Sequence, residues 1–344
     1  MNILFDIIHP ADVWFFKHPM RILKERGHRI VIASREKDVT IDLLNAAGYQ
    51  QEIISRSGGG IAHLACELVR RDWALCRLAR RERADVLVGL GGPTTAHAGK
   101  LTGIPSCVFY DLESARLQNC LTYPFATRVH VPECYSGWIP AATGRRFSGY
   151  KELSYLHPKR FSPDRRTALA NGILEDRENF FLRVVSWHAS HDIGKHGWSS
   201  DLLRSVVRHL DRLGHVIISS ERLLPAEFEA HLYTGDPQEI HHVLAHSRFY
   251  VGESMTMATE AAVLGVPAIC ATPMRSSYIR ELEQRYGLVR SLQHPNWPNT
   301  CEAIQWALDR PVESWGRDRD RMLGEKTDVA AYVADAVEEL IPEE

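Results

Sequence analysis

A chain of 344 residues exceeds what one hydrophobic core usually serves, so two domains are expected. Its 44% hydrophobic and 24% charged residues are ordinary globular composition. A net charge of -2 argues against a broad nucleic-acid-binding surface, although "ELVRRDWALCRLARRERAD" is locally basic.

The N-terminus, "MNILFDIIHP", has neither a basic start nor a small-residue cleavage site, so it reads as a first strand rather than a signal peptide. A helix follows through "FFKHPMRILKERG", then a strand at "HRIVIAS" and a helix at "KDVTIDLLNAAG". A long helix takes up much of 60–83, ahead of the strand "DVLVGL". A Gly-Gly-Pro turn opens the helix "TTAHAGKLTG", and "PSCVFY" is the next strand. Continuous apolar strands separated by helices imply a parallel sheet covered on both faces.

Residues 141–165 break this rhythm with glycines, prolines, aromatics and charges, which predicts the interdomain connection. The N-terminal domain is therefore expected over 1–150 and the C-terminal domain over 151–344. Alternation resumes with the strands "NFFLRVVS", "HVIISS", "RFYVGES" and "PAICAT" between helices, and the tail from about 297 reads as helical. The expected fold is α/β, with two doubly wound Rossmann-like domains facing a cleft at the carboxyl ends of their strands, where ligands bind in open sheets. No apolar run approaches the roughly 18 residues of a spanning helix. The seven scattered cysteines form no CxxC pair, which suits thiols in a reducing compartment, so a cytoplasmic protein is expected.

The stretch "GESMTMATEAAVLGVPAI", residues 252–269, ends a strand and starts an alanine-rich helix. Ser254 or Thr256 can cap that helix, leaving first-turn amides and the positive end of its dipole for a diphosphate. Met255 contributes its backbone. Glu260, four residues after Thr256, shares a helical face with it and can accept hydrogen bonds from the two vicinal hydroxyls of a ribose. The competing reading is a well-capped core helix with an exposed glutamate.

This stretch resembles the nucleotide-sugar site of GT-B glycosyltransferases and of the related non-hydrolysing UDP-N-acetylglucosamine 2-epimerases. Within that group the chain is similar to the DUF354 family of predicted glycosyltransferases. The resemblance runs from "DIIHPADVWFFKHPMRILKERGHRI" through "FYDLESARLQN", "GYKELSYLHP" and "SWHASHD" to "EIHHVLAHSRFYVGESMTMATEAAVLGVP". It implies a GT-B fold, a UDP-sugar donor in the C-terminal domain and an acceptor in the N-terminal one. It places Ser254, Met255 and Thr256 at the phosphates, Glu260 at the ribose, and Tyr233, Thr234 and Gly235 near the base. MurG-like transferases carry a glycine-rich first loop with a histidine near the first helix. Here the matching position is Asp12 and the glycines are missing, which leaves the acceptor open.

An inverting transferase needs one base for the acceptor hydroxyl, while a helix N-terminus can stabilise the departing diphosphate, so no metal or other cofactor is obligatory. Asp12 is the first candidate base, against the alternative that it simply caps the first helix. His9 is a second candidate. Asp111 and Glu113 end the strand "PSCVFY" at the same edge, or sit in a solvated turn. His188, His191, Asp192 and Lys195, in "SWHASHDIGKHG", are expected to meet the diphosphate or the sugar; their spacing matches no zinc pattern. His242 and His246 lack an HExxH acid and are expected to pack or face solvent. Trp14, Phe15 and Phe16 offer either a first-helix core face or a contact with a membrane or lipid-linked acceptor. The expected activity is glycosyl transfer from a nucleotide-sugar, probed against two rivals: a UDP-sugar 2-epimerase and a non-catalytic sugar-nucleotide-binding protein.

Overall fold

The computed structural model describes residues 1–36, 39–56, 61–113, 115–186 and 197–340, the side chains of 61–65 excepted. The chain divides into two compact units, Met1–Arg160 with the chain from Thr327, and Phe161–Lys326.

The first unit is built on a seven-stranded sheet of β1 (Asn2–Ile7), β2 (Arg29–Glu36), β3 (Glu52–Arg56), β4 (Val86–Leu90), β5 (Ser106–Phe109), β6 (Arg128–Pro132) and β7 (Gly144–Phe147). Their order is β3-β2-β1-β4-β5-β6-β7, and every neighbouring pair is parallel. The second unit holds β8 (Glu178–Val184), β9 (Gly214–Ser220), β10 (Phe249–Gly252), β11 (Ala268–Ala271) and β12 (Val289–Leu292), in the order β12-β11-β10-β8-β9 and again all parallel. Central strands are apolar throughout because helices cover both faces: Ile3, Leu4 and Phe5 of β1 and Phe180, Phe181 and Leu182 of β8 are all buried.

In the first unit the chain builds outward from β1 in one direction and then resumes at β4 in the other. In the second the reversal falls between β8 and β10. At such a switch point two neighbouring carboxyl-end loops diverge to opposite faces and leave room for a ligand. Both candidate sites of the sequence lie on these loops.

Two expectations need correction. The break between units falls at Arg160–Phe161, and while the Trp297–Asp309 and Val312–Glu325 helices of the tail stay with the second unit, the chain from Thr327 returns to the first. The Val329–Glu338 helix buries Val329, Val333 and Val337, a stripe at three-to-four spacing that needs an apolar surface, and the Pro10–Glu25 helix provides it. Arg26 clamps that contact onto Asp335 at 2.8 Å and onto Glu338, and Asp328 accepts from Arg160 at 2.6 Å. Secondly, Phe15 and Phe16 are core residues that meet Phe109 edge-on at 5.5 and 6.2 Å, and Trp14 is half-buried against Tyr155. For Phe15 and Phe16 the core-face reading is what the structure displays.

Candidate functional site

At the switch point of the second unit, β10 ends on Gly252. A Cβ there would fall 2.5 Å from the Arg183 carbonyl oxygen and 2.8 Å from its nitrogen, so only glycine lets the strand end this close to β8. Ser254 is the N-cap of the Met255–Leu264 helix, its Oγ accepting from the Met257 amide at 3.2 Å. Among the described residues the Met255 and Thr256 amides find no acceptor, which leaves two donors at the positive end of the dipole. Gly265, at φ +82°, closes the helix.

Glu253, which the sequence reading passed over, organises this edge. Its carboxylate is buried and accepts from the Val185 amide at 2.9 Å and the Trp198 amide at 2.6 Å. It therefore ties both ends of the loop after β8 to the turn after β10. The Trp198 indole reinforces the closure by donating to the Ala271 carbonyl at 3.0 Å. His188, His191, Asp192 and Lys195 belong to that loop and lie outside the described residues.

Glu260 is buried on the same helix, which corrects the exposed-glutamate alternative; its Oε1 lies 3.1 Å from His241 Nε2. A neighbouring imidazole restrains the carboxylate's rotamer. Tyr233 is half-buried beyond β9, its amide bonded to the Ile218 carbonyl and its hydroxyl to the Asp236 carbonyl at 2.7 Å. Burial pushes that phenol up to about 12. Gly235 sits where a Cβ would meet the Tyr233 hydroxyl at 2.6 Å, and Thr234 between them is exposed. These three form one turn held to Asn171, whose Oδ1 accepts from Asp236 at 2.9 Å. His242 packs on Phe161 at 4.6 Å and accepts from the Asp164 amide, and His246 bonds the His242 carbonyl.

The first unit's switch point is ionic instead. Asp6, one charge in the apolar run of β1, is buried against Arg71 and accepts from Thr95 at 3.3 Å; Arg71 also donates to Ser55 at 2.7 Å. Thr95 lies so close to β4 that Gly89 must lack a Cβ. After β1, His9 is the N-cap of the Pro10–Glu25 helix and Asp12 stands at N3, the two forming a capping box. Asp12 Oδ2 accepts from the Ile8 amide at 2.8 Å and the His9 amide at 3.0 Å; Oδ1 takes no hydrogen bond among the described residues. The capping alternative is thus what the geometry displays, in a buried carboxylate. Burial pushes the Asp12 carboxyl up to about 7, and the Asp6 charge adds to this against the two amides and Lys151.

Asp111, just beyond β5, is held by Lys151 at 2.7 Å, and Lys151 also reaches the buried Glu152 at 3.8 Å. Lys151 therefore links Asp111 to the electrostatics of Asp12, a role the sequence reading did not assign. Glu113 accepts from the Ser136 amide at 3.4 Å and lines a cavity of about 510 Å³ in this unit, with Arg116, Asn119, Tyr123, Tyr135 and Trp138. The Tyr123 and Tyr135 hydroxyls lie 3.1 Å apart, and Asn119 donates to Tyr135 at 3.1 Å.

Solved structures share this fold along their full length. A UDP-GlcNAc 2-epimerase from Neisseria meningitidis, bound to UDP-GlcNAc, superposes with a TM-score of 0.69 at 12% identity, over 99% of each chain. The glycotransferase of kitacinnamycin gives 0.65 at 15% identity over 99% of each chain. The spinosyn rhamnosyltransferase SpnG gives 0.63 at 12% identity, over 98% of this chain and 99% of its own. No curated protein matches the chain in sequence. The fold is GT-B, as the two parallel α/β units predict. The model of the family described as protein of unknown function (DUF354) matches residues 1–285, and the chain belongs to that family.

Proposed function

We propose that this protein is a glycosyltransferase that moves a sugar from a nucleotide-sugar, a UDP-sugar by the likeness of its fold, to a glycan or lipid-linked acceptor without a metal. The observation that carries the reading is the switch point of the second unit. There a strand-end glycine and a serine-capped helix whose first two amides are unpaired among the described residues build an anion cradle out of backbone, held in place by the Glu253 carboxylate. The bound diphosphate is the leaving group: the helix N-terminus takes up its developing charge as the bond from the anomeric carbon to phosphate oxygen breaks. Glu260, oriented by His241, accepts from the ribose hydroxyls.

Asp12 is the base. A carboxyl near 7 is part-ionised at neutral pH and basic enough to take a hydroxyl proton as the acceptor oxygen bonds to the anomeric carbon. Its Oδ2 is fixed by two amides, so the proton goes to Oδ1. Lys151 pairs with Asp111 and its charge moderates Asp12, while His9 positions Asp12 through the capping box. The acceptor is assigned to the first unit, with the Glu113–Trp138 cavity as its seat.

The second reading is epimerisation of a UDP-sugar. It is favoured by the acidic first-unit edge and by a full-length fold shared with the N. meningitidis epimerase. Incubation with UDP-sugars separates the readings. UDP release that requires an acceptor supports transfer, whereas C2 inversion without acceptor supports epimerisation. Nucleotide-sugar binding with neither product, unaffected in Asp12→Asn, leaves a non-catalytic binding protein.

A further inference from the structure

The right-handed crossovers from β3 to β4, β4 to β5 and β5 to β6 set the Ile61–Arg81, Pro93–Thr102 and Arg116–Thr122 helices side by side on one face of the first sheet. His97 fastens the layer, its Nδ1 2.8 Å from Asp72 on the first helix and its Nε2 2.7 Å from the Leu121 carbonyl on the third. Arg71, Leu75, Cys76, Leu78 and Ala79 turn inward and are buried. The outward stripe of the same helix reads Val69, Arg70, Trp73, Arg77 and Arg80, at steps that keep them on one face.

That outward face is not an ordinary solvated one. Val69, Trp73, Leu101 and Leu117 are between 65% and 76% exposed, and they lie on the three neighbouring helices of this layer. Leu121 and Phe125 continue the apolar strip towards Trp138. Of the fifteen large hydrophobics exposed among the described residues, seven fall in this one run from Val69 to Trp138. Arg70, Arg77, Arg80 and Lys100 surround them, and none has a carboxylate partner among the described residues. Arginines at the flank, by contrast, are neutralised: Arg81 by Glu52 and Glu82, Arg35 by Glu67.

We infer that this face docks on an anionic membrane surface. Unpaired cations meet the headgroups, Trp73 lies at the interface, and the aliphatic side chains enter the acyl boundary. Two other occupants fit less well. A second copy packed symmetrically on the same face sets arginine against arginine. A nucleic acid needs the cations but not Val69, Leu101 and Leu117. The contact is peripheral, since no helix among the described residues is long and apolar enough to cross a membrane. The Arg116–Thr122 helix belongs to this face and also lines the Glu113–Trp138 cavity, so a lipid-linked acceptor would reach that cavity along the docked surface. The inference stands apart from the catalytic reading, because its test involves no turnover.

The test is co-sedimentation of the full chain with phosphatidylcholine vesicles, with and without roughly 30% phosphatidylglycerol, at low and high salt. Binding is expected only to the anionic vesicles and is expected to weaken with salt. Each arginine removed should cost roughly fivefold, so Arg70→Gln/Arg77→Gln/Arg80→Gln loses about a hundredfold. Trp73→Ser should weaken binding that salt does not restore, and Arg212→Gln on the second unit should change nothing. Unfolding temperatures equal to wild type confirm that the variants are folded. Equal binding to neutral vesicles, an unchanged triple variant, or no vesicle binding overturns the proposal. So does a dimer lost on Trp73→Ser, or binding of polyuridylate in preference to vesicles.

Discussion

The two switch points occupy the same place in two similar sheets and are made of different materials. The second unit's is built from backbone: a glycine that touches the next strand, a capped helix start, and a buried Glu253 whose carboxylate serves amides. The first unit's is built from ionisable side chains, with Asp6, Arg71, Asp12, Asp111 and Lys151 acting on one another's charge. Backbone donors do not titrate, so the first material suits holding a permanently charged diphosphate. A carboxyl moved to about 7 suits taking and giving a proton. The fold supplies two equivalent positions, and on the proposed reading their side chains divide the labour between them.

The largest effect expected from breaking this division is at Asp12. Asp12→Asn preserves both amide bonds yet removes the base, and turnover should fall about 10²- to 10⁴-fold with nucleotide binding unchanged. The same variant sharpens the electrostatic side. Because the folded carboxyl titrates near 7 against an ordinary 3.8, the folded state holds its proton more tightly. Stability from this group is therefore full below about 3.8 and is lost as pH rises towards 7, by at most about 4 kcal/mol. Denaturant titration across that window should show the loss in wild type and its absence in Asp12→Asn. A parallel pH dependence in both would place the titration elsewhere.

Glu253→Ala comes next. It strips acceptors from two buried amides and should cost about 3 kcal/mol in denaturant unfolding, with nucleotide binding lost as the loop ends part. Gly252→Ala forces a Cβ against the Arg183 backbone, for about 1–3 kcal/mol. Ser254→Ala removes a cap at about 1 kcal/mol and should leave the first unit's chemistry intact at saturating donor. Should Ser254→Ala reduce turnover at saturation as much as Asp12→Asn does, the two edges are not separate in function.

How much of this was legible in the sequence follows the same divide. Strand-glycine-helix turns and continuous apolar runs are local, so four strands of each sheet could be read directly and the cap narrowed to Ser254 or Thr256. The edge strands β3, β7 and β12, and β6, were not legible, and β7 lies inside the stretch read as the interdomain connection. Asp6 is a lone charge in an apolar strand that the sequence reading passed over, because its partner Arg71 lies 65 residues away on another element. Glu253 looked like a turn residue because the amides it serves, Val185 and Trp198, come from a distant loop. The tail reads only as helical, and no sequence pattern says that the surface covering the Val329–Glu338 helix belongs to the first unit. Buried charges and returning helices are settled by long-range partners, which a single sequence does not display.

The most direct test of the backbone cradle is calorimetric titration of UDP into wild type and Met255→Pro. Proline is favoured at the first helical position, so this change deletes one of the two unpaired amides and leaves the helix standing. Lost affinity with unchanged unfolding is the predicted result, accompanied in wild type by about 2.7 kcal/mol of stabilisation at 100 times the dissociation constant. UDP that binds Met255→Pro as tightly as wild type, or no binding of UDP at all, would contradict the assignment of the diphosphate to this helix.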